Sequence, residues 1–363
     1  MTQNRISNYD FMNKYIFFLN LLFCSSIASV FGQDTLNSLK YDWNPGIEGT
    51  GPVRGLEVSC HVNTNYKVNS NSDLYGKGKG EIDNNRVFET KLRFPIFLNQ
   101  KLKIAGSFDY SDEEFHFDDI SDNNYPLYKS LNEKNLKSIG GSIYLMTQLK
   151  RNMFFLFRFN AKLKGDYWKE HIGDVNKYTF LKMEMSPVIG WKVNSKKSWG
   201  IGMAYSYTFG DPLLFPIFVY NHSFADKWGV EAFLPARIKL RYQASKLCFI
   251  NAKARLQGGS YSIHFDDPEL NDFKTLELRR ADVNFSVEIE KGITDWLWAS
   301  FESGYRTNIN FDVTNKNHAF SLSGSELINK NSIIDSSVKG GVFYNISVFL
   351  VPSKTILKKI GLK

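Results

Sequence analysis

Beyond residue 53 the chain alternates between apolar and polar residues with a period of two, and it does so in long runs. The clearest run is Ala281 to Glu290, in which Ala281, Val283, Phe285, Val287 and Ile289 occupy one face. Asp282, Asn284, Ser286, Glu288 and Glu290 occupy the other. A period of two is the signature of a strand whose two faces meet different surroundings. The same pattern recurs in Phe88–Ile96, Phe155–Leu163, Cys248–Gln257 and Leu297–Arg306. Soluble sandwiches alternate too, so the deciding feature is length: a strand that crosses a bilayer needs about 9–11 residues, and most of these runs reach it. The pattern predicts an all-β protein, an antiparallel transmembrane barrel.

Composition agrees with a membrane that is crossed by strands and not by helices. Aromatic residues make up 15% of the 363 positions, with 30 Phe, 18 Tyr and 7 Trp, yet mean hydropathy is −0.30. Alternation keeps the average polar even where one face is wholly apolar. The formal charge of +8 raises the question of nucleic acid, but the cations are spread evenly among apolar residues and form no phosphate-binding stripe. No nucleic-acid partner is expected.

The N-terminus reads as an export signal. Lys14 provides the positive flank, Ile16 to Phe23 the apolar segment, and Ser25, Ser26, Ala28 and Ser29 the small residues that follow. Cleavage is expected after Gly32, and Met12 is an alternative start. A retained helical anchor is disfavoured by the shortness of the apolar stretch and by Asn20 within it. Of the three cysteines, Cys24 lies in the signal. Cys60 and Cys248 are expected as free thiols on buried strand faces.

Connections fall into two classes. Short polar turns are expected at Asn99-Gln100, Lys150–Asn152, Ser195–Ser198, Ala225–Lys227, Ser245-Lys246 and Gly292–Asp295. Each precedes an apolar or aromatic residue suited to an interfacial girdle: Leu102, Met153, Trp199, Trp228, Leu247 and Trp296. Long polar loops are expected at 69–85, 118–135, 169–178, 266–273 and 313–337. Short turns at the periplasmic end and long loops outside are the bacterial pattern. Placing all six short turns at one end gives about fourteen strands. That count requires two short strands within 228–244, turning at Leu234-Pro235-Ala236; a single strand there would give about twelve. Pro95, Pro216 and Pro235 lack a ladder donor and belong at rims, bulges or turns. The expected division is 1–32 signal peptide, 33–53 periplasmic N-terminal segment, 54–350 outer-membrane barrel and 351–363 basic tail.

The last run, Ser337 to Leu350, resembles the terminal-strand signal read by the outer-membrane assembly machinery. Lys339, Gly341, Tyr344 and Ile346 match it, and the tail after Val351 departs from it. The chain as a whole resembles an uncharacterised family of outer-membrane β-barrels, known only as a domain of unknown function and common in Bacteroidetes-type bacteria. The resemblance rests on Phe31-Gly32-Gln33 and on Leu214 to Tyr261, with Pro216, Trp228, Leu234-Pro235, Tyr242, Gly259 and Tyr261. It implies fold and location, with the lipid bilayer and the assembly machinery as partners, and brings no chemistry.

Catalytic and metal constellations are weak. Asn221-His222-Ser223 places His222 and Ser223 on opposite faces of a strand, where they cannot share a proton, and His318 to Ser321 lacks a third member. The acidic stretch Asp118, Asp119, Asp122, Asn123 and Asn124, with His116 nearby, lacks the glycine and terminal glutamate of a calcium loop. No catalytic residue, metal or cofactor is assigned. The remaining constellation is a set of charges on the inner faces of the strands. Arg93, Arg158, Lys162, Arg237, Lys239, Arg241, Lys253, Arg255 and Arg280 face Glu89, Glu184, Asp282, Glu288, Glu290 and Glu302. Such charges either brace a filled interior or line a wet pore that favours small polar or anionic solutes. These two readings remain open: a passive channel or binding barrel, or a non-transporting surface barrel with a plugged lumen.

Overall fold

The computed structural model describes residues 45–118, 125–166, 180–265, 276–315 and 332–352. Sixteen strands are present: β1 (Leu56–Asn63), β2 (Tyr66–Ser72), β3 (Gly76–Leu98), β4 (Leu102–Asp118), β5 (Leu136–Lys150), β6 (Met153–Gly165), β7 (Leu181–Asn194) and β8 (Lys197–Ser206), followed by β9 (Leu213–His222), β10 (Trp228–Leu234), β11 (Arg237–Ser245), β12 (Cys248–Ile263), β13 (Leu276–Gly292), β14 (Leu297–Asn315), β15 (Ser332–Val338) and β16 (Gly341–Leu350). One short helix, α1 (Pro126–Glu133), lies between β4 and β5.

Each strand pairs antiparallel with its neighbours, and β1 pairs with both β3 and β16, which closes the sheet. β1 and β2 run one after the other along β3, so they form a single wall position broken at Thr64-Asn65. β15 and β16 likewise share β14 as a neighbour and break at Lys339-Gly340. The result is a closed barrel of fourteen strand positions. Closure removes the unpaired strand edges that hydrocarbon could not satisfy.

The stretch 228–244 holds the two short strands that the count required, β10 and β11, with the turn at Pro235-Ala236. Pro95 sits where the β3–β4 register shifts, and Pro216 lies beyond the outer end of β10, where β9 pairs only with β8. All six short turns fall at one end of the barrel. By the bacterial pattern that end is periplasmic.

The outer face carries an apolar belt. Phe285 (56% exposed), Ile346 (58%), Ile289, Phe301, Tyr344, Val348, Phe218 and Ile238 all point outward. Trp191 stacks on Trp199 with centroids 4.4 Å apart, and Trp228 lies 4.8 Å from Tyr242, so aromatic pairs mark the short-turn rim. Cys60 and Cys248 are free, as expected, but Cys60 is exposed on this outer face between Phe88 and Ile346 rather than buried. A thiol is apolar enough for a surface that faces lipid.

Several expected loops are ordered. Residues 69–85 form not a loop but most of the β2–β3 hairpin, and the described parts of 313–337 are the end of β14 and most of β15. Residues 118–135 contain α1. The stretches 169–178 and 266–273 lie outside the described residues, as do His318–Ser321, Asp119–Asn124, the signal 1–32 and the tail from 353 onward.

The hairpin was hidden because the alternation changes phase along the barrel. Near the short turns, polar residues such as Ser59, Asn63, Asp109 and Glu113 face inward and apolar ones face lipid. Toward the long-loop end the inward residues become Tyr66, Val68, Ile82, Phe115, Leu276, Leu278, Phe311 and Val313, while Lys67, Asn69, Glu114 and His116 face out. There the strands have left the membrane and form a small water-facing domain with an ordinary apolar core. β6 and β12 meet directly at Gly165 and Ser262, so this turret is a narrower ring of β2 to β6 and β12 to β15. β7 to β11 end lower and form a low wall on one side.

Candidate functional site

The barrel interior has three levels. The outermost is filled by α1. Pro126 at the first helical turn starts the helix without needing a donor. Leu127, Tyr128 and Leu131 then present one face to the turret core, where each is at most 2% exposed. Tyr128 donates from its Oη to Ser70 Oγ at 2.8 Å. The Tyr125 and Tyr128 rings lie against Gly78 and Gly80, where a Cβ would come within 2.6 and 3.0 Å of them. The Lys-Gly-Lys-Gly stretch in β3 is thereby explained: lysines face water and glycines make room for rings.

The innermost level is occupied by the chain that precedes β1. The segment expected in the periplasm, 33–53, is described from Pro45, and from there it runs inside the short-turn mouth. Ser198 Oγ donates to Pro45 O at 2.8 Å, and Lys192 Nζ donates to Gly46 O. Glu48 is held twice, its N–H donating to Ser195 O at 2.9 Å and its carbonyl accepting from Ser223 Oγ at 2.6 Å. Ile47 is 6% exposed. Arg54 anchors the inner end: it reaches Glu288 at 2.9 Å, pairs with Glu57 and Glu290, and lies 4.4 Å from the centre of the Phe349 ring. No periodicity or motif in 45–54 announced this placement; Arg54 beside Glu57 was its single visible mark.

The charges read from the sequence lie between these two closures, and their side chains face the lumen. Most are paired. Lys253 Nζ lies 3.1 Å from Glu288 and 2.7 Å from Glu302. Lys239 lies 2.9 Å and Arg241 3.4 Å from Glu231. Arg280 pairs with Glu113 and lies 3.1 Å from Asp282, Lys162 lies 3.5 Å from Asp109, and Arg93 lies 3.7 Å from Glu57. Glu89 takes Lys91 at 2.7 Å, and Glu184 accepts from Asn160 at 2.8 Å. Glu57, Asp109, Glu113 and Glu231 were not singled out from the sequence, although each sits on the inner parity of its strand.

Other cations have no carboxylate in contact among the described residues, although Glu184 acts on Lys164 and Arg158 from a distance. Lys164 lies 5.6 Å from the Tyr261 ring centre, Arg306 4.1 Å from that of Tyr66, and Arg158 5.6 Å from that of Tyr144. These are cation–π contacts. Among the described residues neither Arg237 nor Arg255 has a carboxylate in contact; Glu231 acts on Arg237, and Arg255 on Glu89 and Glu302, only at longer range. They are direct cross-strand partners in the β11–β12 register, and Arg237 is acted on first by Glu231 and then by the like charges of Arg158, Arg255 and Arg93. Arg158, Arg237 and Arg255 are also exposed while facing inward, so water reaches the lumen at this level.

Neither catalytic candidate assembles. His222 Nδ1 meets Tyr220 Oη at 3.2 Å on the outer face, while Ser223 is buried inside and accepts from Arg241 Nη2 at 3.0 Å. No group of three or more His, Cys, Asp or Glu with metal-holding geometry occurs among the described residues.

A closed antiparallel barrel with an apolar outer belt, short turns at one end and a polar interior is a transmembrane barrel of the outer-membrane type. Residues 58–327 match the model of a family described as a domain of unknown function, DUF6268, and the chain belongs to that family. A search of curated proteins finds no match. Among solved structures, the chain is similar to an outer-membrane channel from Pseudomonas putida F1, with 9% identity, 87% of this chain and 99% of the other covered, and a TM-score of 0.37. It is also similar to a Pseudomonas aeruginosa FadL homologue (9% identity, 81% and 90% covered, TM-score 0.37). A third is the translocator domain of the autotransporter NalP from Neisseria meningitidis (8%, 84% and 90%, 0.31). The class assignment rests on closure and belt, not on these likenesses.

Proposed function

We propose that the protein is an outer-membrane channel or binding barrel for small polar or anionic solutes. The observation that carries this reading is the set of cations that, among the described residues, have no carboxylate in contact at the wet level of the lumen: Arg158, Arg237 and Arg255. Uncompensated charge on a pore wall sets which ions enter. Lys239 and Arg241, on the same strand as Arg237, share the single carboxylate of Glu231, so that pair leaves a smaller surplus than the three arginines.

The test is the reversal potential of the refolded barrel in a planar bilayer under a salt gradient, with folding checked by the heat-dependent gel shift. The wild type should prefer anions. Replacing Arg158, Arg237 and Arg255 by Gln should abolish that preference, and Lys239→Gln should leave it nearly intact. Unchanged selectivity in the triple variant overturns the reading.

A second reading is favoured by the two closures. With α1 at one end and residues 45–54 at the other, the barrel can serve as a non-transporting surface protein. A folded, inserted but silent protein that stays silent after both closures are removed would support it. Export through a signal peptide ending at Gly32, and recognition of Lys339, Gly341, Tyr344 and Ile346 by the assembly machinery, belong to the same proposal. Tyr344 and Ile346 face outward at the closing strand, where such a signal is accessible. Sequencing the mature N-terminus should give Gln33.

A further inference from the structure

Two of the cations without a contacting carboxylate stand side by side. We propose that Arg237 and Arg255, with Arg158 facing them, form one discrete binding site for a small dianion bearing carboxylate or phosphate oxygens. The proposal rests on the anionic reading above and gives it a place and a substrate class.

The argument begins with register. Arg237 and Arg255 stand directly opposite each other on β11 and β12. Like charges in that relation destabilise a strand pair. The same two strands meet the same difficulty nearby, where Lys239 stands opposite Lys253, and there they resolve it. Lys239 takes Glu231, and Lys253 takes Glu288 and Glu302. Among the described residues neither Arg237 nor Arg255 has such a contact, and Glu231, Glu89 and Glu302 act on them only from a distance. Inward carboxylates are plentiful within a few residues, so the lack of a contacting one among the described residues is a local property of the site and not of the barrel.

The second step is geometry. Guanidinium groups offer planar pairs of donors that fit two oxygens of a carboxylate or phosphate. Two such forks side by side, with a third group acting from β6, match an anion with oxygens on two sides. Three positive charges in one space also favour a divalent ligand, since a monovalent one leaves most of the repulsion in place.

The third step is access. Arg237 is the first residue of β11, just past the turn that ends the β10–β11 hairpin, at the lip of the low wall. β12 continues past that lip from Leu256 to Ile263 without β11 beside it, and β9 likewise continues from Ile217 back to Leu213 without β10. The turret filled by α1 stands above β2 to β6 and β12 to β15, so the site lies beside and below that filling and not behind it.

The experiment is calorimetric titration of the refolded full-length barrel with succinate and inorganic phosphate against acetate, at constant ionic strength. Succinate or phosphate should bind at least tenfold more tightly than acetate. Arg237→Gln with Arg255→Gln should remove that binding, and Arg237→Lys with Arg255→Lys, which keeps charge but loses the forks, should weaken it. Arg86→Gln, on the exposed outer face of the turret, should change nothing. Arg158→Gln alone provides a second variant if the double one does not fold. Equal binding of acetate and succinate, both weakened by the Gln variants, would overturn the dianion class and leave the anionic lumen standing. Dianion binding unchanged in every Gln variant that folds would overturn the site. No binding, together with no anion preference in the bilayer, would overturn both.

Discussion

Buried polar residues in this lumen are held in matched sets, so the cost of a substitution depends on what it leaves behind. Lys253 serves Glu288 and Glu302 at once, and both carboxylates are almost fully buried. Lys253→Met should therefore cost about 3–5 kcal/mol, because it strands the buried Glu302, while Glu288 keeps Arg54. Denaturant titration of the refolded barrel would measure it, and Glu302→Gln in the Lys253→Met background should recover part of the loss. Tyr128→Phe is a milder case. It removes one buried hydrogen bond to Ser70 Oγ while keeping the ring against Gly80, and about 1 kcal/mol is expected in the same assay. A Cβ at Gly229 would lie 2.2 Å from the Arg241 guanidinium, the far end of a flexible side chain that must give way. Gly229→Ala should push Arg241 off Ser223 and Glu231.

Among elements, α1 is the one whose removal is most informative. Leu127 and Leu131 hold it by apolar burial, so Leu127→Ala should cost about 2–5 kcal/mol of local stability. Replacing Pro126–Glu133 by a Gly-Ser linker of equal length should raise conductance without loss of the gel shift, if the helix is the outer closure. The spanning strands were legible because lipid outside and water inside impose one phase on every strand, and the short turns punctuate them. α1 had a signature too, in Pro126 followed by Leu127, Tyr128 and Leu131, but its short length within a polar stretch concealed it. The β2–β3 hairpin escaped because its inward side is apolar and its outward side polar, opposite to the strands below. At the candidate site, the inward parity of Arg237 and Arg255 was legible, whereas their lack of a contacting carboxylate among the described residues was not. Pairing across a barrel depends on which strands stand opposite, and closure alone decides that.

At the scale of the whole molecule, the reversal of phase divides the barrel between two solvents. Ile289 faces lipid on β13, and an arginine there should cost about 2–4 kcal/mol of stability in bilayers. Asn71 is exposed on the turret, and Asn71→Arg should be close to neutral. A scan of arginine substitutions along the outward face of β1 and β2, read by refolding into vesicles, would therefore trace the membrane boundary near Thr64-Asn65. The turret should also keep its protection from proteolysis in detergents that disturb the belt, because its core is its own.

The segment inside the short-turn mouth has a mechanical consequence. Pro45, Gly46 and Glu48 are gripped one after another, mostly through main-chain carbonyls, before the chain reaches the cluster at Arg54. A tug on the chain upstream of residue 45 would not load these attachments together. It would peel them singly, each yielding at low force, until the strain arrived at Arg54 and its three carboxylates. The segment across the mouth is thus built less like a cork than like a strip of tape, weak when lifted from its upstream edge and firm against pressure from within.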